Sequence, residues 1–318
     1  MSAAEVILIQ RSKEATGLGA LESIIERFDV KTRRITPIST PPVGYCDQYP
    51  VGDGIGNIIY YRGPIGRNVN TNALDFDIVV NGFVRSRPQW RESLFGALAC
   101  SWGPAGHAAI SPTEQKLIHS ARVDKNLLGR FDKDTGRLYG GLPFSQEWQI
   151  IETDFKLTAS SQRTIKGKDN TEPNWSGAGI TWIDKSQPQH YVCVNNIRIA
   201  SPGLAFDPIL SPDGSKVAWL VLEGKIGSSA LENLFNVNWS IYVSDIETKS
   251  IKQVVKAEPF VLNSHPHWYD DETIMWSRVY DDKSPWLLWT VNINNPKTAD
   301  KFTFDTDGSI SMAWPIHV

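Results

Sequence analysis

The chain has 318 residues, 41% of them hydrophobic, with 24 Gly, 19 Pro and 12 Trp, ample material for a large core and unlike a disordered or fibrous protein. Lys and Arg total 32 against 35 Asp and Glu, a formal charge of -3, so no basic excess draws the chain to nucleic acid or to an anionic membrane surface. The apolar run Val6-Ile-Leu-Ile9 is too short, and too closely followed by Arg11, Lys13 and Glu14, for a secretory segment, and no later stretch approaches a membrane span.

Short β-type runs separated by Gly, Pro, Asp and Asn turns fill the chain, a pattern of sandwiches, barrels and propellers. Glu5 to Gln10 and Ile24 to Asp29 are expected strands, although Gly19 to Phe28 also holds good helix formers. Tyr49-Pro-Val-Gly-Asp-Gly54 leads into Asn57-Ile-Ile-Tyr-Tyr61, and His107-Ala-Ala-Ile-Ser-Pro112 into Lys116-Leu-Ile-His119. Within the second, Ser111-x-x-Glu114 matches a helical capping box. Between Pro143 and Asn170 an insertion is expected, with Ile151-Glu-Thr-Asp-Phe-Lys-Leu157 as an extra hairpin. Glu172-Pro-Asn-Trp-Ser176 then precedes Gly179-Ile-Thr-Trp-Ile183.

The clearest unit follows. Ala205-Phe-Asp-Pro-Ile-Leu210, the turn Ser211-Pro-Asp-Gly214, Lys216-Val-Ala-Trp-Leu-Val221, Trp239-Ser-Ile-Tyr-Val-Ser-Asp245 and Lys252-Gln-Val-Val255 make four strands, the third closed by Asp245-Ile-Glu-Thr-Lys249. His265-Pro-His-Trp-Tyr-Asp-Asp271 precedes Thr273-Ile-Met-Trp276, and Ser309-Ile-Ser-Met-Ala-Trp314 ends the series. A lone four-stranded sheet cannot bury both faces, so such repeats must stack around an axis. The expected architecture is all-β, a single six-bladed β-propeller over residues 1–318, its N- and C-terminal strands sharing one blade. The segment around Ser211-Pro-Asp-Gly214 resembles a blade of the TolB-type propeller repeat, in which a Ser-Pro-Asp-Gly turn follows the inner strand and the third strand ends in Asp-x-x-Thr-Gly or a variant.

Blades converge on a channel, so polar residues before each inner strand are candidates for one shared site. Asp47, Glu172 and Asp207 are candidate acids, and His265 and His267 candidate bases. Tyr45, Gln48, Trp102, His107, Asn174, Trp175, Arg62, Arg122 and Arg278 are candidate substrate contacts. Turn-capping carboxylates, structural histidines and solvated arginines are the plain alternatives for each of them. Trp219, Trp276 and Trp289 are assigned to the core. His265 and His267 share a strand face without a third ligand in reach, and Cys46, Cys100 and Cys193 lie far apart with no CxxC pair. No metal, no cofactor and no disulfide framework is therefore expected, and the thiols suit a reducing, cytoplasmic setting. The GxSxG, P-loop, GxGxxG and HExxH motifs are all absent.

Thr16-Gly-Leu-Gly-Ala-Leu-Glu22, Glu26-Arg-Phe-Asp-Val30 and Pro41-Pro-Val-Gly-Tyr-Cys-Asp-Gln-Tyr-Pro50 resemble segments of the fungal trichothecene biosynthesis cluster protein 14 family. That resemblance implies a cytosolic propeller of sesquiterpenoid mycotoxin biosynthesis, assisting oxygen-heterocycle closure in a trichodiene-derived intermediate such as isotrichotriol. It brings no catalytic residue with it. The expected partner is a small apolar polyol, with oligomeric state left open. A non-catalytic binding or scaffold propeller and a metal-dependent hydrolase or lactonase propeller are the alternatives.

Overall fold

The second strand of blade 5, Lys216–Glu223, is apolar on both faces from Val217 to Leu222, and its neighbours show why. Val217, Trp219 and Val221 pack with Ile183, Val192 and Val194 of the preceding sheet and with Ala205 of their own, whereas Ala218, Leu220 and Leu222 join Trp268, Ile274 and Trp276 of the following one. Side chains alternate across a strand, so a run that is apolar at every position fills two interfaces at once.

The computed structural model describes residues 3–12, 22–66, 76–85, 108–123, 131–132, 137–138, 147–155, 160–164, 170–185, 189–223, 238–281, 284–304 and 308–317. They form six four-stranded antiparallel sheets and one two-stranded ribbon, Phe131–Asp132 with Arg137–Leu138. The sheets are the six blades of a β-propeller. The innermost strands of blades 1 to 6 are Ser309–Ile316, Tyr45–Gly52, Ala109–Ile110, Asn170–Ser176, Leu204–Leu210 and Leu262–Trp268. Blade 1 is completed by Val6–Ser12, Ser23–Asp29 and Ile35–Pro37, and Ser309–Ile316 runs antiparallel to Val6–Ser12 with Val6 opposite Ile316 and Leu8 opposite Trp314. The two ends of the chain therefore share a sheet and close the ring without a covalent bond.

Two local expectations are corrected. Ile151 to Leu157 is no inserted hairpin: Glu147–Asp154 is the third strand of blade 3, paired along its length with Lys116–Val123. Neither helical signal forms a helix among the described residues. Ser23–Asp29 is drawn into blade 1, where Ile25 and Phe28 are buried, and Ser111 caps a turn, its Oγ accepting from the Glu114 amide at 3.1 Å. Sheet burial outweighs the weak helix propensity of both segments.

The turns follow their chemistry. In blade 5 the Gly214 amide donates to the Ser211 carbonyl at 2.9 Å, Gly214 has φ +74°, and Asp213 Oδ1 accepts from the Ser215 amide at 2.9 Å. A β-carbon on Gly214 would stand 2.7 Å from Ala178 Cβ of blade 4. At the next turn Asp245 Oδ1 accepts from the Thr248 amide at 2.8 Å, leaving exposed Lys249 at φ 57°. Left-handed backbone costs a residue with a β-carbon about 1–2 kcal/mol, against about 0.5–1 kcal/mol of extra chain entropy for glycine. Lys249→Gly is thus expected to raise the urea midpoint by an amount equivalent to about 0.5–1 kcal/mol, with an unchanged slope.

Candidate functional site

An inner strand is paired on one edge only, so its free N–H and C=O groups face the axis. Four of these strands blunt that edge in one way, with a residue followed by proline: Tyr49-Pro50, Glu172-Pro173, Asp207-Pro208 and His265-Pro266. Tyr49, Glu172, Asp207 and His265 take left-handed backbone at φ 54°, 55°, 49° and 50°. The pairing register slips across each, at Gln48/Val51, Thr171/Asn174, Phe206/Ile209 and Ser264/His267. Right-handed helical backbone is disfavoured before proline, and the left-handed form costs on the order of 1–3 kcal/mol unless its surroundings hold it. Neighbouring blades supply that hold. The Tyr49 amide donates to Gln10 Oε1 at 2.8 Å, and the Asp207 amide to Glu172 Oε2 at 2.7 Å.

Such bulges re-aim side chains. Glu172, Asp207 and His265 line one small chamber with Asn174, His267 and Trp314, about 20 Å³ in volume, which is room for a single water. The Tyr49 ring meets His265 edge-on at 5.4 Å. Glu172 is 5% exposed, and its Oε1 accepts from Lys185 Nζ at 2.5 Å. Burial pushes the Glu172 carboxyl above its ordinary range; Lys185 pulls it back, and the nearby Asp207 pushes it up again.

Above the chamber, at the trailing ends of the inner strands, a funnel of about 220 Å³ opens. Its walls are largely apolar, with Trp175, Trp268, Trp314, Ile110, Ile209 and Pro212, and its polar groups are Asp53, Asn174, Ser176, His267 and His317. Two of the indoles are fixed by bonds between blades: Trp268 Nε1 donates to the Ile209 carbonyl and Trp314 Nε1 to the Gly52 carbonyl, both at 3.0 Å. His267 is 6% exposed and packs 4.6 Å from Trp314, centroid to centroid. Asn174, His267 and Trp314 border both spaces and form the septum between them.

Of the residues singled out from sequence, Glu172, Asp207, His265, His267, Asn174 and Trp175 come together on these two cavities. Tyr45, Asp47, Gln48, Arg62 and Arg278 line neither. Asp47 and Arg62 stand directly opposite on adjacent strands and form a two-pronged pair at 2.7 and 2.8 Å, which satisfies both. Tyr45 is exposed, and Gln48 Nε2 donates to Cys46 Sγ at 3.2 Å. Arg278 pairs with Glu258 at 2.7 Å between the Tyr280 and Trp289 rings. Trp102, His107 and the side chain of Arg122 lie outside the described residues. The apolar space lies at the trailing ends of the inner strands, whereas Tyr45, Asp47 and Gln48 sit at the leading end of theirs. Trp268, Trp314, His317 and Tyr49 were not singled out; the repeated residue-proline pair at a fixed place in four strands is the signal that finds Tyr49.

Among solved structures the chain is similar to TolB from Acinetobacter baumannii, with a TM-score of 0.60 and 14% identity over 98% of this chain and 67% of that one. The fold is a six-bladed propeller with TolB-like structural neighbours. A chain of the nidogen/laminin complex gives a TM-score of 0.55 at 10% identity, covering 97% of each, and Kuenenia stuttgartiensis hydrazine synthase 0.56 at 10%, covering 98% of this chain and 46% of that one. Identities this low establish the fold alone. No protein-family model matches the sequence, and no curated protein matches it. Among the described residues no group of three or more His, Cys, Asp or Glu side chains is placed to hold a metal ion, and no helix is long and apolar enough to cross a membrane.

Proposed function

We propose that this propeller is a cytosolic enzyme that closes an oxygen heterocycle on a small apolar polyol, an oxygenated trichodiene-derived intermediate such as isotrichotriol. The observation that carries the reading is the junction of two unlike spaces: a tryptophan-walled funnel stands over a buried chamber that holds two carboxyls and two imidazoles. Cyclic ether formation with loss of water needs one group to protonate the departing hydroxyl and another to take the proton of the attacking hydroxyl. Glu172, working with Asp207, is the acid: burial and the neighbouring carboxyl raise its pKa against the pull of Lys185, which makes it a readier proton donor than an ordinary carboxyl. One water in the chamber carries that proton toward the funnel, and His267 in the septum receives the other. The carbon–oxygen bond to the leaving hydroxyl breaks, the ether bond forms, and one water is released; no oxidant is needed. Apolar walls hold one conformer and exclude bulk water from the cation that develops.

Purified protein incubated with isotrichotriol is expected to yield a product lighter by one water, followed by mass-resolved chromatography. Asp207→Asn and His267→Phe are each expected to lower kcat by about 100-fold or more. Wild-type protein that leaves the triol unchanged, or both variants at full rate, would remove the reading. Bound divalent metal in the purified protein together with an unchanged triol would instead favour a metal-dependent hydrolase, and tight binding without turnover a binding propeller.

A further inference from the structure

Two residues that line the funnel each carry a buried acceptor atom with no hydrogen-bond partner among the described residues. His317 Nε2 lies 2.9 Å from the Trp268 carbonyl. A carbonyl oxygen can only accept, so Nε2 carries the ring hydrogen and Nδ1 presents a lone pair. That Nδ1 is buried and has no hydrogen-bond partner, and the same holds for Asn174 Oδ1. Burial also pushes the His317 pKa down, against the pull of the Trp268 carbonyl, which works in favour of the uncharged ring. Both residues line the funnel, among Trp175, Trp268 and Trp314, and Asn174 borders the chamber as well.

Buried polar atoms of folded proteins are nearly always satisfied, and an orphan carries a penalty until something fills it. Here both orphans are acceptors in a largely apolar cavity. A carboxylate or phosphate ligand would set acceptor against acceptor, and a hydrocarbon would leave both unsatisfied. A ligand that presents two hydroxyl donors on an apolar frame satisfies both and fills the rest of the wall.

We infer that Asn174 and His317 are positioning residues that accept hydrogen bonds from two hydroxyls of the ligand, which makes the funnel selective for an apolar skeleton carrying at least a diol. This rests on the reading of the funnel as the seat of a polyol, and it assigns the specificity to a histidine just past the end of the closing strand. Neither residue exchanges a proton with the reacting atoms.

The test is equilibrium binding, followed by the fluorescence of the funnel tryptophans, with isotrichotriol and with its hydroxyl-free parent trichodiene as the two probes. His317→Gln keeps a donor for the Trp268 carbonyl and loses the Nδ1 acceptor; Asn174→Leu keeps shape and loses the amide. Each is expected to weaken triol binding about threefold to tenfold while leaving trichodiene binding and the unfolding midpoint unchanged. Triol affinity equal to wild type in both variants would overturn the inference, because waters then satisfy the two acceptors. Equal losses for triol and hydrocarbon would overturn it too, by showing a role in shape alone. So would a wild-type protein that binds neither probe. Binding separates this from the proposed chemistry: selective triol binding without turnover sinks the cyclase and leaves the polyol site standing.

Discussion

Replacing Lys185 by Met is expected to destabilise the protein by about 3–5 kcal/mol at neutral pH, the usual effect of removing one member of a buried ion pair. Lys185 and Glu172 are 14% and 6% exposed at their side chains, their charged atoms are 2.5 Å apart, and the ammonium also lies 4.6 Å from the centroid of the Phe206 ring. Without the lysine, Glu172 keeps the Asp207 amide as its hydrogen-bond partner among the described residues. The pH dependence follows from the sign of the shift. Burial places the folded Glu172 value above its unfolded one, so this group favours folding below the ordinary range of a glutamic acid, and that contribution is lost as pH rises through the folded value. Lys185 limits the loss by lowering the folded value. Removing it extends the loss to higher pH, so Lys185→Met should be closer to wild type at about pH 5 than at about pH 7 in urea unfolding. Adding Glu172→Gln should recover part of the difference at neutral pH, since the uncompensated charge is then gone. A single variant within about 1 kcal/mol of wild type at neutral pH would mean that water screens the pair as it does at a surface.

The same pair shows what the sequence made legible and what it did not. Ser211-Pro-Asp-Gly214 and the Trp- and Val-rich runs after it announce a blade, because tight turns and two-sided apolar strands leave a strong local signal. Glu172 and Asp207 could be placed near the axis for the same reason: each precedes a proline close to such a turn. Lys185 carries no such mark, since it reaches Glu172 only through the fold of the second strand of blade 4. Asp47 and Arg62 misled for a related reason. Each sits beside an inner-strand position, and only the register shows that they answer each other across one hairpin. His317 carries no local mark either, because its surroundings are a carbonyl of blade 6 and a wall built from four other blades. Contacts of that range have no local pattern, so the sequence marks the blades more clearly than the cavity between them.

A chain lacking residues 309–318 is expected to lose its cooperative unfolding transition altogether. Those residues hold the innermost strand of blade 1, in which Ile310, Met312, Ala313 and Trp314 are buried. Truncating one such tryptophan alone costs about 3–5 kcal/mol, and the whole stability of a folded domain is only about 5–15 kcal/mol. The deletion also strips the partner from Val6–Ser12 and removes the Trp314 bond to the Gly52 carbonyl that ties blade 1 to blade 2. An unpaired apolar edge is a template for association, so the shortened chain should sediment as an aggregate rather than as an open ring. What the ring requires is the strand, not its place in the chain. Because Ile316 lies directly opposite Val6, a short turn can join 317 to 4, with new ends placed between 304 and 308. That permuted chain should fold with a midpoint near wild type, measured by urea unfolding and by sedimentation. A shortened chain that unfolds cooperatively near the wild-type midpoint would show that five blades close on their own; a permuted chain that fails while the natural one folds would show that the order of synthesis, rather than the pairing in blade 1, closes the propeller.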